Sequence, residues 1–203
     1  NVQRHWGELP HVDKHDMPYE DKKDLLIWRG TTTGPFFKKD DCFQAKRSDL
    51  LRSWYDEFDV GIVSLVQTEE VSEEECDFWE RYRKPFLSIR KQLQYKCILS
   101  IEGNDVATNL KWIMYSNSVV LMPKPTIETW FMEGTLIAWF HYVPILNDFS
   151  DLKEKFEWCI MNPTTCKDIS ENATEYVKQF LDKSLNKELV NSIIRLYTKN
   201  CTF

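Results

Sequence analysis

The sequence predicts an α/β fold, a Rossmann-like and mostly parallel sheet with helices on both faces. Two observations carry that reading. Short apolar runs alternate with longer amphipathic stretches along most of the chain. The runs are continuously apolar and often β-branched, as strands buried on both faces are, whereas half-exposed strands alternate with polar residues.

Residues 1–23 are polar, carry prolines and histidines, and read as an extended lead-in arm; residues 24–203 form the domain. Leu25 to Trp28 is the first strand, ended by Arg29-Gly30 and a threonine-rich turn to Gly34. Residues 43–58 form a helix with Leu50, Leu51, Trp54, Tyr55 and Phe58 on one face. Val60 to Val66 is the second strand. A charged helix spans Ser72 to Glu80, and Pro85 breaks or restarts it. Lys96 to Ile101 is the third strand, passing through Glu102-Gly103 into a helix at about Asp105 that buries Val106, Leu110, Ile113 and Met114. Val119 to Met122 and Tyr142 to Leu146 complete the strands. Helices from Ser150, from about Thr164 and from Leu185 to Tyr197 close the chain.

The totals exclude several classes. With 42% hydrophobic and 29% charged residues, the chain has the composition of an ordinary globular domain. A net charge of −6 with scattered lysines and arginines offers no basic stripe for duplex nucleic acid. No signal-peptide pattern opens the chain, and Thr135 to Leu146 is too short, and too broken by His141, for a transmembrane segment. Asn1 in place of Met reads as a processed or excised piece. The six cysteines include no C-x-x-C pair, which argues against a zinc ribbon and for reduced structural thiols. His5, His11 and His15, with Asp13 and Asp16, show no metal-ligand spacing, so no metal is expected. His141 reads as a hydrogen-bond partner within its aromatic stretch. The sequons at Asn172 and Asn200 matter only in a secretory compartment, and the compartment stays open: cytoplasmic or membrane-peripheral for a bacterial or viral chain, ER or Golgi lumen for a eukaryotic one.

Parallel α/β sheets bind ligands beyond the carboxyl ends of their strands. Two such loops stand out. The first is Arg29-Gly30-Thr31-Thr32-Thr33-Gly34. Its arginine presents a planar fork of donors suited to phosphate, its glycines allow close backbone approach, and Thr31 and Thr33 add hydroxyls. An ion pair between Arg29 and a neighbouring carboxylate explains the same residue equally well. The second loop runs from Glu102 to Lys111 and is read as entering a helix whose amino end favours an anion. Helical spacing places Asn104, Ala107, Thr108 and Lys111 on one side, with Gly103, Asp105 and Asn109 beside them; Asn104 or Asp105 serves equally as a plain N-cap. A third candidate lies in Thr126 to Gly134, where Glu128 can accept ribose hydroxyls and Trp130 can stack on a base or sugar, or lie in the core.

Several blocks in order carry a resemblance: Ile27-Trp28-Arg29-Gly30, Tyr95-Lys96, Gly103 to Trp112, Ser116 to Pro123, Glu128 to Gly134, His141-Tyr142-Val143-Pro144, and Asp148 to Leu152. Over about residues 20–180 the chain resembles glycosyltransferase family ninety, which includes protein O-glucosyltransferases and transferases of lipopolysaccharide and capsule synthesis. The resemblance implies the GT-B plan of two Rossmann-like domains, of which this chain looks like the C-terminal, donor-binding one. It implies a nucleotide-diphosphate sugar such as a UDP-sugar as donor, no metal and no cofactor. A glycan, lipopolysaccharide, capsule or protein hydroxyl is the implied acceptor. It places Arg29 and the Gly103 to Lys111 loop at the donor's diphosphate and nucleotide. Glu102 and Asn109 stand where the protein O-glucosyltransferases carry arginines, which moves the phosphate contacts toward Arg29, Lys111 and the helix start. The family's catalytic aspartate lies in the N-terminal half and has no counterpart here, so the general base is expected outside this chain. A non-catalytic nucleotide-sugar-binding module is the alternative. A receiver-type signalling domain would need clustered strand-end acids that the pattern lacks.

Overall fold

The structure, a computed structural model, describes residues 5–33, 46–66 and 73–200. One five-stranded parallel sheet runs through it in the order β2-β1-β3-β4-β5, with β1 at Lys23–Thr31, β2 at Asp59–Ser64, β3 at Tyr95–Leu99, β4 at Val119–Met122 and β5 at Val143–Pro144. Ile27 pairs with Asp59 on one side and Ile98 on the other, and Ile98 in turn with Val120. The helices are α1 (Leu9–His15), α2 (Lys46–Trp54), α3 (Glu73–Arg81), α4 (Ile89–Gln92), α5 (Leu110–Met114), α6 (Leu152–Met161), α7 (Pro163–Gln179) and α8 (Lys183–Asn200).

Strand residues alternate between two buried cores, which is why the strands read as continuous apolar runs. Leu26, Trp28, Val60, Ile62, Cys97, Leu99 and Leu121 face α2, α3 and α6 on one side. Ile27, Ile98, Val120 and Met122 face α1 and α5 on the other. Helix α7 serves both, with Cys166 and Ile169 in the first core and Ala173, Tyr176 and Val177 in the second. Each fully buried Leu, Ile or Val contributes about 1.5–3 kcal/mol. Cys97, Cys159 and Cys166 are buried free thiols in that first core, and Cys76 is also free; Cys42 and Cys201 lie outside the described residues.

Two expectations are corrected. The lead-in is no extended arm. Pro10 in the first turn suits a helix start, Lys14 and His15 suit its last turn, and α1 buries Leu9 and Val12 in the second core. Lys22, buried, then ties the segment down by donating to Asp16 Oδ1 and to the Leu93 carbonyl. The helix expected at about Asp105 begins only at Leu110. Gly103 donates its N–H to the Asp105 carbonyl, and Asp105 Oδ1 accepts the Val106 N–H, so local polar bonds compete with the helical ladder. Remaining shifts are at element ends: β5 keeps only two residues, although Ile145 still donates to the Met122 carbonyl at 3.1 Å.

Candidate functional site

With β2 on one side of β1 and β3 on the other, successive crossovers leave β1 in opposite directions. Between the carboxyl ends of β1 and β3 this switch point opens a crevice, the usual ligand position in such sheets. It measures about 420 Å³ and is bounded by the end of β1, the first turn of α2 and the 103–109 loop.

Arg47 dominates it. The side chain comes from the first turn of α2, and one terminal nitrogen donates to the Thr31 carbonyl and Thr33 Oγ1, both at 2.6 Å, while the other reaches the Ile101 carbonyl at 3.3 Å. Its guanidinium lies 5.5 Å over the Trp28 ring. Only 9% of the residue is exposed, and its Nε has no hydrogen-bond partner. Among the described residues no carboxylate pairs with it. Burial alone pulls its pKa down to about 10, so the group stays charged near neutral pH. A buried cation with no counter-ion among the described residues, at the amino end of a helix whose dipole repels it, is unfavourable. An anion there removes that cost.

The neighbours hold this geometry. Trp28 folds its indole over Gly30, where a Cβ would stand 2.3 Å from the ring, so Gly30 makes room for the crevice floor rather than for a ligand. Thr32 is buried and exchanges bonds with Val66 at 2.7 and 2.8 Å, joining the ends of β1 and β2. Across the crevice, Gly103 is buried, and a Cβ on it would lie 2.8 Å from Thr33 Oγ1 and 2.9 Å from Arg47 Nη2. Asn109 donates to the Leu99 carbonyl and accepts from Ser100, fastening the loop to the end of β3.

Of the residues singled out in the sequence, Thr31, Thr33, Gly103, Asn104, Asp105, Thr108 and Asn109 meet around the crevice with Arg29 and Gly30. The polar ends of others point elsewhere. Arg29 donates to the Pro85, Trp28 and Asp59 carbonyls and to Asp59 Oδ1 at 2.7 Å, so its guanidinium is taken up by an ion pair. Asp59 also accepts from Lys84 at 3.1 Å and Tyr95 at 2.9 Å. Burial would raise the Asp59 pKa, but the bonds from Arg29, Tyr95 and Lys84 together hold it below the ordinary value. Lys111 is buried with its ammonium 5.4 Å from the Trp6 ring and 5.5 Å from Phe131; since the helix starts late, the side shared with Asn104 and Thr108 does not form.

Glu128 and Trp130 stand outside the crevice. Two buttresses set the loop that carries them. Glu102 accepts from Thr126 N, Thr126 Oγ1 and Ile127 N, and buried Glu133 accepts from Thr129 N at 2.6 Å and Thr129 Oγ1 at 2.8 Å. The Glu128 carboxylate thereby lies against Gly134, and Trp130 Nε1 lies 3.5 Å from Asn186 Oδ1. Ala107 borders a small apolar slot beside the crevice, with Val106, Pro123 and Pro125. His141 accepts the Ile137 N–H at Nδ1, a structural bond.

Arg47 is the residue the sequence reading missed. Its signal was a cation at i on a face whose i+3 and i+4 positions, Leu50 and Leu51, are wholly buried.

The sequence model of the family described as Glycosyl transferase family 90 matches residues 5–203. The chain belongs to that family. It is 39% identical over 166 residues to the O-glucosyltransferase LpsA of Dichelobacter nodosus, covering 81% of this chain and 46% of that protein. It is 30% identical over 195 residues to the uncharacterized protein 035R of Invertebrate iridescent virus 3, covering 88% of this chain and 17% of that one. Protein O-glucosyltransferase 3 of Homo sapiens matches over 89 residues at 32% identity, 43% of this chain and 17% of the human protein. The chain thus spans under half the length of the bacterial family member and less than a fifth of the other two.

Proposed function

We propose that the crevice holds the diphosphate of a nucleotide-sugar donor, and that this chain is the donor-binding part of a transferase that moves the sugar to a hydroxyl of a glycan, lipopolysaccharide, capsule or protein acceptor. The observation that carries the reading is Arg47, a buried cation aimed into the switch-point crevice without a counter-ion among the described residues. In the transfer, an acceptor hydroxyl loses its proton to a base and attacks the anomeric carbon while the bond to the diphosphate breaks. Negative charge then grows on the leaving diphosphate, where Arg47 and the Thr33 hydroxyl stabilise it more strongly than in the ground state. Among the described residues around the crevice the one carboxylate is Asp105, whose Oδ1 accepts the Val106 N–H. Following the family resemblance, the base is assigned to a further N-terminal domain of a GT-B pair, and neither metal nor cofactor enters the scheme. No helix among the described residues is long and apolar enough to cross a membrane.

Calorimetric titration of the chain with UDP and UDP-sugars tests the donor site, and absence of any nucleoside diphosphate binding to folded protein refutes it. A radiolabelled-donor assay of this chain with and without the N-terminal half of a family member tests the division of labour. Transfer is expected only with both halves. A non-catalytic binding module gives nucleotide binding with no transfer in either arm.

A further inference from the structure

A second, larger groove of about 770 Å³ lies on the face of the sheet covered by α1 and α4. It joins the donor crevice, since Arg29, Thr108 and Asn109 border both. One wall is the lead-in: His5, held at a left-handed φ of 65°, then His11 and His15, four residues apart on one face of α1. The other wall is the segment from Phe86 to Gln92, with Arg90 among its lining residues. Phe86 is 74% exposed and offers a ring face to a sugar.

With its histidines neutral the groove does not share the negative charge of the whole chain, and with them protonated it is positive. Its charged and titratable lining groups are His5, Glu8, His11, His15, Arg29 and Arg90, and Lys14 acts on His15 from α1 itself. Arg29 is neutralised by Asp59, which leaves Glu8 as the one carboxylate among the lining residues, against three imidazoles and Arg90. The chain as a whole carries −6. Burial, then Arg90, Lys14 and His11, depress the pKa of His15, so its neighbours already form a positive field. Among the described residues no three His, Cys, Asp or Glu side chains gather as metal ligands.

We propose that this groove receives an acidic group, a sugar carboxylate or phosphate monoester, carried by the acceptor glycan. The acceptor role rests on the donor reading of the adjoining crevice; the anion site itself rests on the groove. An acid bound here counters Arg90 and favours protonated imidazoles, while its sugar ring lies on Phe86 toward Thr108 and the donor.

The test is an NMR titration of the histidine ring signals of the 203-residue chain. The probes are glucuronic acid, glucose 6-phosphate and neutral glucose, at ionic strength matched with chloride. The expected result is that the His15 titration midpoint rises by about half a unit or more with one or both acids and stays fixed with glucose. The acid that acts tells carboxylate from phosphate. Arg90→Gln should weaken that acid about tenfold with the unfolding midpoint unchanged. No rise beyond the chloride control, or an equal rise in Arg90→Gln, overturns the proposal. UDP added to the same sample separates the two readings. An imidazole response without any UDP response overturns the donor reading and with it the acceptor role. A UDP response without an imidazole response overturns the groove alone.

Discussion

Replacing Arg47 by Met keeps much of the side chain's bulk while removing its charge and three hydrogen bonds, two at 2.6 Å and one at 3.3 Å. The effects on stability oppose one another. Removing a buried cation relieves its desolvation, whereas the Thr31 and Ile101 carbonyls lose a donor. Such groups cost about 1–3 kcal/mol each when sealed from water, and less here because the crevice is open to it. The net change in unfolding free energy is therefore expected to stay within about 1–2 kcal/mol. Nucleotide binding has no such compensation. A hydrogen bond to a charged group contributes about 1.5–3 kcal/mol, which corresponds to about 10- to 150-fold weaker UDP binding. Calorimetry near neutral pH, with thermal unfolding of both proteins as control, reads both quantities. UDP affinity within about twofold of the unsubstituted chain in folded Arg47→Met would refute the reasoning. The pH dependence follows from the same group. Its folded pKa, about 10, lies below its ordinary value, so the cost of the charge is fully present below pH 10 and fades above it. The domain in the absence of added nucleotide should gain stability on passing that pH while UDP affinity falls.

Asp59→Ala leaves Arg29, whose side chain is 6% exposed, without its ion-pair partner, and should cost about 3 kcal/mol by urea unfolding with UDP affinity unchanged; a loss under about 1 kcal/mol would make the pair a surface contact. Because the folded pKa of Asp59 lies below its ordinary 3.8, the stability it adds is present above that value and is lost as pH falls through the folded pKa, so acid unfolding of the unsubstituted chain should steepen below about pH 4 and that of Asp59→Ala should not. Gly103→Ala drives a Cβ to within 2.9 Å of the Arg47 fork, and calorimetry should show UDP binding weakened about tenfold with little change in unfolding midpoint. Glu133→Ala strips the acceptor from the Thr129 N–H and hydroxyl and should cost about 1–3 kcal/mol in denaturant unfolding; an unchanged midpoint would deny the loop its buttress.

The sheet was legible because its strands are buried on both faces: Leu26-Ile27-Trp28 and Val119 to Met122 each feed two cores and leave a continuous apolar run. The loops were legible as places but not as directions. Arg29 and Lys111 are cations near strand ends, yet one is taken by Asp59 and the other by Trp6 and Phe131. Those partners lie tens of residues away, where no local pattern reaches. Helix α5 begins late because Asp105 and Asn109 spend their side chains on Val106 and on the end of β3. Arg47 was hidden by its neighbours, since Lys46-Arg47-Ser48-Asp49 reads as a solvated helix start until the burial of Leu50 and Leu51 shows which way it faces.

Lys22 turns the lead-in from a tail into a wall. Its ammonium is held between Asp16 and the Leu93 carbonyl, beneath a helix that seals Leu9 and Val12 against the sheet. Trimming the chain back to Lys23 would therefore strip the cover from Ile27 and Ile98 and erase the histidine side of the groove in the same cut. The two losses are one event, because the segment that closes the second core is also the segment that faces the groove.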